Sequence, residues 1–179
     1  MYELDPSYET TTALANFAVQ NANYSAAIKY LKEAENKTDD PEKLKAIYLN
    51  LSNAYLNQDN LQSARQYARK AIDTDPDWGR PYIKMAMIYA RAVNNCTNGR
   101  KMNGDDRVVY WLVLDYLNKA KSVDSSAANR ANQLLGTYRG GTPSTQDVFF
   151  KGWEEGQQIQ VDGSLGSCYA WINETTTVR

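Results

Sequence analysis

The sequence predicts an all-α chain of stacked helical hairpins with a small β appendage at its C-terminal end. Three observations carry this. One unit recurs at spacings of 37 and 34 residues, and its apolar positions follow a period near 3.6. The last stretch, "QQIQVDGSLGSCYAWINETTTVR", instead alternates Gln, Ile, Val, Tyr, Trp and Thr around a Gly-rich turn.

The repeat shows when "NYSAAIKYLKEAE" (Asn23–Glu35) is laid on "NLQSARQYARKAI" (Asn60–Ile72). Ala27 then falls on Ala64, Leu31 on Ala68 and Ala34 on Ala71, while upstream Leu14, Ala15 and Ala18 fall on Leu51, Ser52 and Tyr55. A forward shift of 34 carries Tyr48, Leu51 and Tyr55 onto Tyr82, Met85 and Tyr89. Each unit reads as two helices. In the clearest, residues 43–57 are apolar at Ile47, Leu51, Ala54 and Tyr55, "NQDN" is a polar break, and residues 61–74 form the second helix. Pro76 stops it, because proline cannot continue the hydrogen-bond ladder and disfavours α geometry at Asp75. A two-helix unit of this size cannot bury its apolar faces alone, so neighbouring units must share a core.

The expected organisation is a helical array over 1–140, with repeats at about 8–42, 43–78 and 79–125, followed by a tail over 141–179. The third unit carries a polar insert at 94–106, "NNCTNGRKMNGDD". It resumes with "RVVYWLVLDYLNKAKSV", where Val113, Leu117 and Ala120 hold the repeat positions. Residues 126–139 read as a capping helix. "STQDVFFKG" reads as one helical turn with Ser144 as N-cap, Asp147 three residues on and Gly152 as stop. The alternating segment around "DGSLG" reads as a β-hairpin.

Tyr48, Leu51, Ser52, Tyr55, Ala64, Ala71 and Pro76 resemble the signature of the tetratricopeptide-repeat family, with Ala68 where a larger aromatic is usual. The likeness covers roughly residues 8–139. It implies a right-handed solenoid of about three repeats, and a protein–protein interaction module whose first helices line a concave groove for a peptide or protein. On this sequence the groove positions are Thr12, Asn16, Leu49, Asn50, Asn53, Asn57, Arg80, Ile83, Lys84, Met87 and Arg91. Asparagine both donates and accepts, which suits capture of an extended backbone. Family members that grip a partner's C-terminal carboxylate use Lys and Asn, then Asn, then two basic residues. Asn16, Asn50, Arg80 and Lys84 occupy four of those five places, and Thr12 stands where the first lysine is needed.

Composition narrows the rest. Apolar residues at 42% and charged residues at 23% are ordinary for a globular chain, and a net charge of −1 gives no general electrostatic case for nucleic acid or acidic membrane. No run approaches the ~20 apolar residues of a membrane span. Histidine is absent, which removes the commonest general base and imidazole ligand. No enzyme activity, cofactor or metal is expected, and oligomeric state is not readable. "GSCY" at 166–169 matches part of a thiol-protease motif but has no histidine to pair with. "DTDPDWG" lacks the glycine placement and terminal glutamate of a calcium loop, and reads as a helix end running into a turn. Glu154 and Glu155 read as a solvated turn, and "YRGGTPS" lacks the lysine of a phosphate loop.

Cys96 and Cys168 lie in the two irregular segments. They either pair across about 4 kcal/mol of loop-closure entropy or remain separate thiols, a choice the sequence leaves open. "FFKG" and "CYAWINETTTVR" are similar to the tails of some small exported bacterial repeat proteins, which implies an alternative role as a cell-envelope structural component docking through its tail. The start "MYELDPSYET" shows no signal peptide. Tyr, Asn and Thr enrichment and a bridge between the cysteines point instead to the periplasm or envelope, which is slightly favoured over the cytoplasm.

Overall fold

In a computed structural model, residues 7–179 are described, and they divide into two compact units between Asp77 and Trp78. The fold is a helical-hairpin repeat with a C-terminal β-hairpin.

The first unit holds α1 (Tyr8–Gln20), α2 (Tyr24–Glu35), α3 (Pro41–Asn57) and α4 (Leu61–Thr74). Each helix starts on a side-chain cap. Ser7, Asn23, Asp40 and Asn60 accept from the backbone N–H of Thr10, Ala26, Glu42 and Ser63, and Pro41 occupies a first-turn position where its missing N–H costs nothing. The two hairpin turns are copies of one another. Ala22 (φ 53°) and Asp59 (φ 60°), 37 residues apart, both take the left-handed conformation just before a capping asparagine.

The repeated alanines let the paired helices approach closely. Ala27, Ala34, Ala64, Ala68 and Ala71 have no exposed surface, so each hairpin closes backbone to backbone. Ser52 adds a bond to its small size: its buried hydroxyl donates to the Ala64 carbonyl at 2.7 Å, fastening α3 to α4. Ala15, Leu31, Ala34, Ile47 and Leu51 form the core shared by the first hairpin and α3, and Tyr48, Tyr55 and Tyr67 pack against it.

The second unit holds α5 (Gly79–Cys96), α6 (Gly104–Val123), α7 (Ala128–Tyr138), α8 (Thr145–Lys151), β1 (Gln158–Val161) and β2 (Glu174–Thr177). Val113, Leu117 and Ala120 are all fully buried in α6. Gly79 is needed where it stands. A Cβ there would lie 2.5 Å from Ala127 Cβ and 2.8 Å from the Ala120 carbonyl oxygen, and the Gly79 N–H donates to Asp124 at 2.9 Å. Gly79→Ala therefore forces backbone apart at the corner between α6 and α7, and is expected to cost about 2–3 kcal/mol in chemical denaturation.

The insert is shorter as a loop than its polarity implied. Residues 94–96 continue α5, with Asn94 and Asn95 exposed and Cys96 half-buried, and Asn103 and Asp106 form a capping box that starts α6, leaving 97–103 as the connection. Asp106 is 1% exposed. Both its oxygens accept from Arg100, at 2.6 and 2.7 Å, and it also accepts from the Asn103 N–H and the Tyr169 hydroxyl. Although burial opposes ionisation, these donors hold the Asp106 carboxyl below its usual range. Burial, and then Asp106, push the Tyr169 hydroxyl far upward, so it serves as a fixed donor.

The hairpin also differs from expectation. β1 and β2 pair antiparallel, with Gln158 opposite Thr177 and Val161 opposite Glu174, but the connection spans 162–173 rather than the short "DGSLG" turn. "SCYAWI" is not a strand because Tyr169 and Ile172 turn inward to be fully buried, and Cys168 bonds Cys96. The Cα atoms of the two cysteines are 6.0 Å apart. Further bonds seat the tail on α5 and α6. Glu174 accepts from the hydroxyls of Tyr89 and Tyr116, and Asp115 accepts from Thr176 and Arg179. Ser144 and Asp147 form the capping box of α8, and Gly152 ends it at φ 64°.

A candidate peptide-binding face on the third hairpin

The predicted groove residues fall on two faces, one in each unit. In the first, Asn50, Asn53 and Asn57 lie at i, i+3 and i+7, a stripe along α3; Asn50 and Asn57 are exposed and Asn53 is half-buried. Asn57 uses its amide within the helix, donating to the Asn53 carbonyl at 2.9 Å. Asn16 is exposed on α1, and the Thr12 hydroxyl is turned back to the Tyr8 and Glu9 carbonyls. Leu49, at 4% exposure, offers a partner almost no surface.

In the second unit Arg80, Lys84, Met87 and Arg91 form a stripe along α5, and Ile83 beside it is buried at 7%. The Arg80 guanidinium sits 5.6 Å from the Trp78 ring centroid, which fixes its direction. Lys84 is the unusual member. Its ammonium is 4.0 Å from Met87 Sδ, and among the described residues no carboxylate reaches it. Burial, then the charge of Arg80, then that of Arg130 lower its pKa to about 8.

Arg130 was not foreseen. It comes from α7, whose sequence reads only as a cap, and it donates to Gln133 at 2.6 Å. Beside it, Tyr138 is half-buried. Burial raises its pKa, and the charges of Arg130 and Arg91 partly oppose this. Its ring also stacks on Tyr110, with centroids 5.9 Å apart. Arg80, Lys84 and Arg91 of α5 thus gather with Arg130 and the Tyr138 hydroxyl of α7. Two like charges, Arg80 and Arg130, act on the half-buried Lys84 ammonium, which burial already disfavours.

Other sequence candidates are absorbed by structure. Asp75, in the calcium-like stretch, pairs with Lys45 at 2.7 Å and accepts from the Asp77 N–H. Cys168 carries no thiol because it is in the disulfide. Among the described residues, no helix is long and apolar enough to cross a membrane. The apolar residues of the β-hairpin, Ile159, Val161, Ile172 and Val178, are buried, whereas Phe149 and Phe150 on α8 are exposed.

Comparison with known proteins gives the same architecture. The tetratricopeptide-repeat family model matches residues 46–77. Among solved structures, the TPR2B domain of yeast Sti1, solved as a pHsp70 complex, aligns over 74% of this chain and 96% of its own, at 20% identity and a TM-score of 0.59. The Sgt2 TPR domain from Aspergillus fumigatus aligns over 77% of this chain and 85% of its own, at 18% identity and a TM-score of 0.50. No curated protein matches the sequence significantly. Residues 46–77 thus match the tetratricopeptide-repeat model in sequence, and the helical hairpins share the fold of these solved tetratricopeptide-repeat domains.

Proposed function

We propose that the chain is a non-enzymatic interaction module that binds an acidic peptide segment or a peptide's terminal carboxylate at the α5–α7 face. Tetratricopeptide repeats generally mediate protein–protein interaction, and the Sti1 domain was solved with a partner. The observation that carries the specific reading is Lys84. A half-buried ammonium flanked by Arg80 and Arg130, with no acidic partner among the described residues, is costly unless a ligand supplies the missing charge. Arg80 and Arg130 would add charge-assisted donors, and Met87 and the Tyr138 ring an apolar margin.

The test is charge reversal. Replacing Arg80 and Lys84 together by glutamate should weaken binding of Asp/Glu-ended peptides on an array at least tenfold, while uncharged peptides are unaffected. If acidic and uncharged peptides respond alike, the basic face is not the site.

A further inference from the structure

A second surface, on the first helix, has no role in that reading. Leu14 and Phe17 of α1 are 38% and 66% exposed, one turn apart, and with Thr10, Ala13 and Asn21 they form an exposed stripe without a charge. The internal repeat shows what such a stripe is for. One repeat on, Leu14 and Phe17 correspond to Leu51 and Ala54, buried at 0% and 1%; a further 34 residues on, they correspond to Met85 and Ile88, also fully buried. Leu51 lies in one buried cluster with Leu31 and Ala34 of α2, the second helix of the preceding hairpin. α1 is the first helix of the described residues, and the same face stands open on it.

The opposite end of the series is built differently. The outward residues of α7 are Asn129, Arg130, Asn132, Gln133 and Thr137, a polar surface of the kind that terminates a repeat array. On α1 the corresponding face instead carries exposed Leu14 and Phe17 between Thr10 and Asn21.

We infer that the Leu14/Phe17 face of α1 is a docking surface for the second helix of another helical hairpin. That helix would present leucine and alanine three residues apart, as α2 presents Leu31 and Ala34 to α3. Three features of the surface fit this occupant. It has the width of one helix stripe, and small Ala13 beside Phe17 leaves room for an opposing side chain. It carries no charge that an ionic partner could use. The contact would continue an interface that the chain already makes between α2 and α3.

A fusion tests this. A second copy of residues 8–40 placed ahead of Ser7 supplies a hairpin whose last helix can reach the stripe. The thermal midpoint of the fused chain should rise by about 4 °C or more. Phe17→Asp at the original position, nearly silent in the unfused chain, should lower the midpoint of the fused chain several-fold more. Because this substitution can loosen a short hairpin, hydrogen exchange of residues 8–20 is read alongside, and their protection should increase at least tenfold in the fused chain without any substitution. Equal cost of Phe17→Asp in both chains, or unchanged protection, overturns the inference. So does a concentration-dependent dimer of the unfused chain that Phe17→Asp abolishes, because the occupant would then be a second copy meeting α1 on α1.

Discussion

Cys168→Ser should lower the unfolding free energy of the chain by about 4 kcal/mol, and its thermal midpoint by roughly 10 °C. The Cys96–Cys168 bond closes a loop with a sequence separation of 72, and it joins the end of α5 to the 3-10 turn that carries Tyr169. The loss should not simply release the tail. Tyr169 still donates to Asp106, Glu174 still accepts from Tyr116 at 2.7 Å, and Val161 and Ile172 remain buried. A serine variant should therefore fold at low temperature with the same secondary structure, and reductant should shift the native chain to the same midpoint. If the variant and the native chain melt together, the bridge adds nothing to the stability of the second unit.

Lys84→Met should do two opposite things. It removes a half-buried charge that faces Arg80 and Arg130 without a counter-charge, so the free protein should be more stable by about 1 kcal/mol. It should also weaken an acidic peptide by ten- to a hundredfold, because the lost contact is a charge-assisted one. The pH dependence follows in sign. Lys84 titrates near pH 8 in the folded chain but near 10.4 when unfolded, so between these values the unfolded chain holds the extra proton and stability rises with pH. Lys84→Met should flatten that rise. Peptide affinity should fall as pH climbs through about 8 in the native chain and stay level in the variant. A variant that is less stable than the native chain would mean that the ammonium is already satisfied.

How much of this could be read in the sequence depends on the kind of signal. The hairpins were legible because close packing leaves little choice of residue: Ser52, Ala64 and Ala71 are small where two backbones meet, and their spacing repeats. The short helix α8 was legible from a local code, Ser144, Asp147 and Gly152. The loop at 97–103 was misjudged in length because Asn94 and Asn95 are exposed on the last turn of a helix, and polarity alone does not separate an exposed helical turn from a loop. The β connection was misjudged because the alternation in "SCYAWI" comes from Tyr169 and Ile172 folding inward, not from a pleated strand.

The candidate site was half legible. Arg80 and Lys84 share a helix, so their spacing showed them on one face. Arg130 lies 46 residues beyond Lys84 on another helix, and no local pattern links them. Nor does sequence reveal that Lys84 is half-buried without an acidic neighbour, which is what turns a basic face into a candidate site.

The most direct measurement is a calorimetric titration of the native chain with one acidic peptide in two forms, a free C-terminal carboxylate and its amide. Capture of an anionic group by Lys84, Arg80 and Arg130 predicts that the carboxylate form binds at least tenfold more tightly, with proton uptake at pH 8 as the Lys84 pKa rises. Equal affinity for both forms, with no proton uptake, would contradict it.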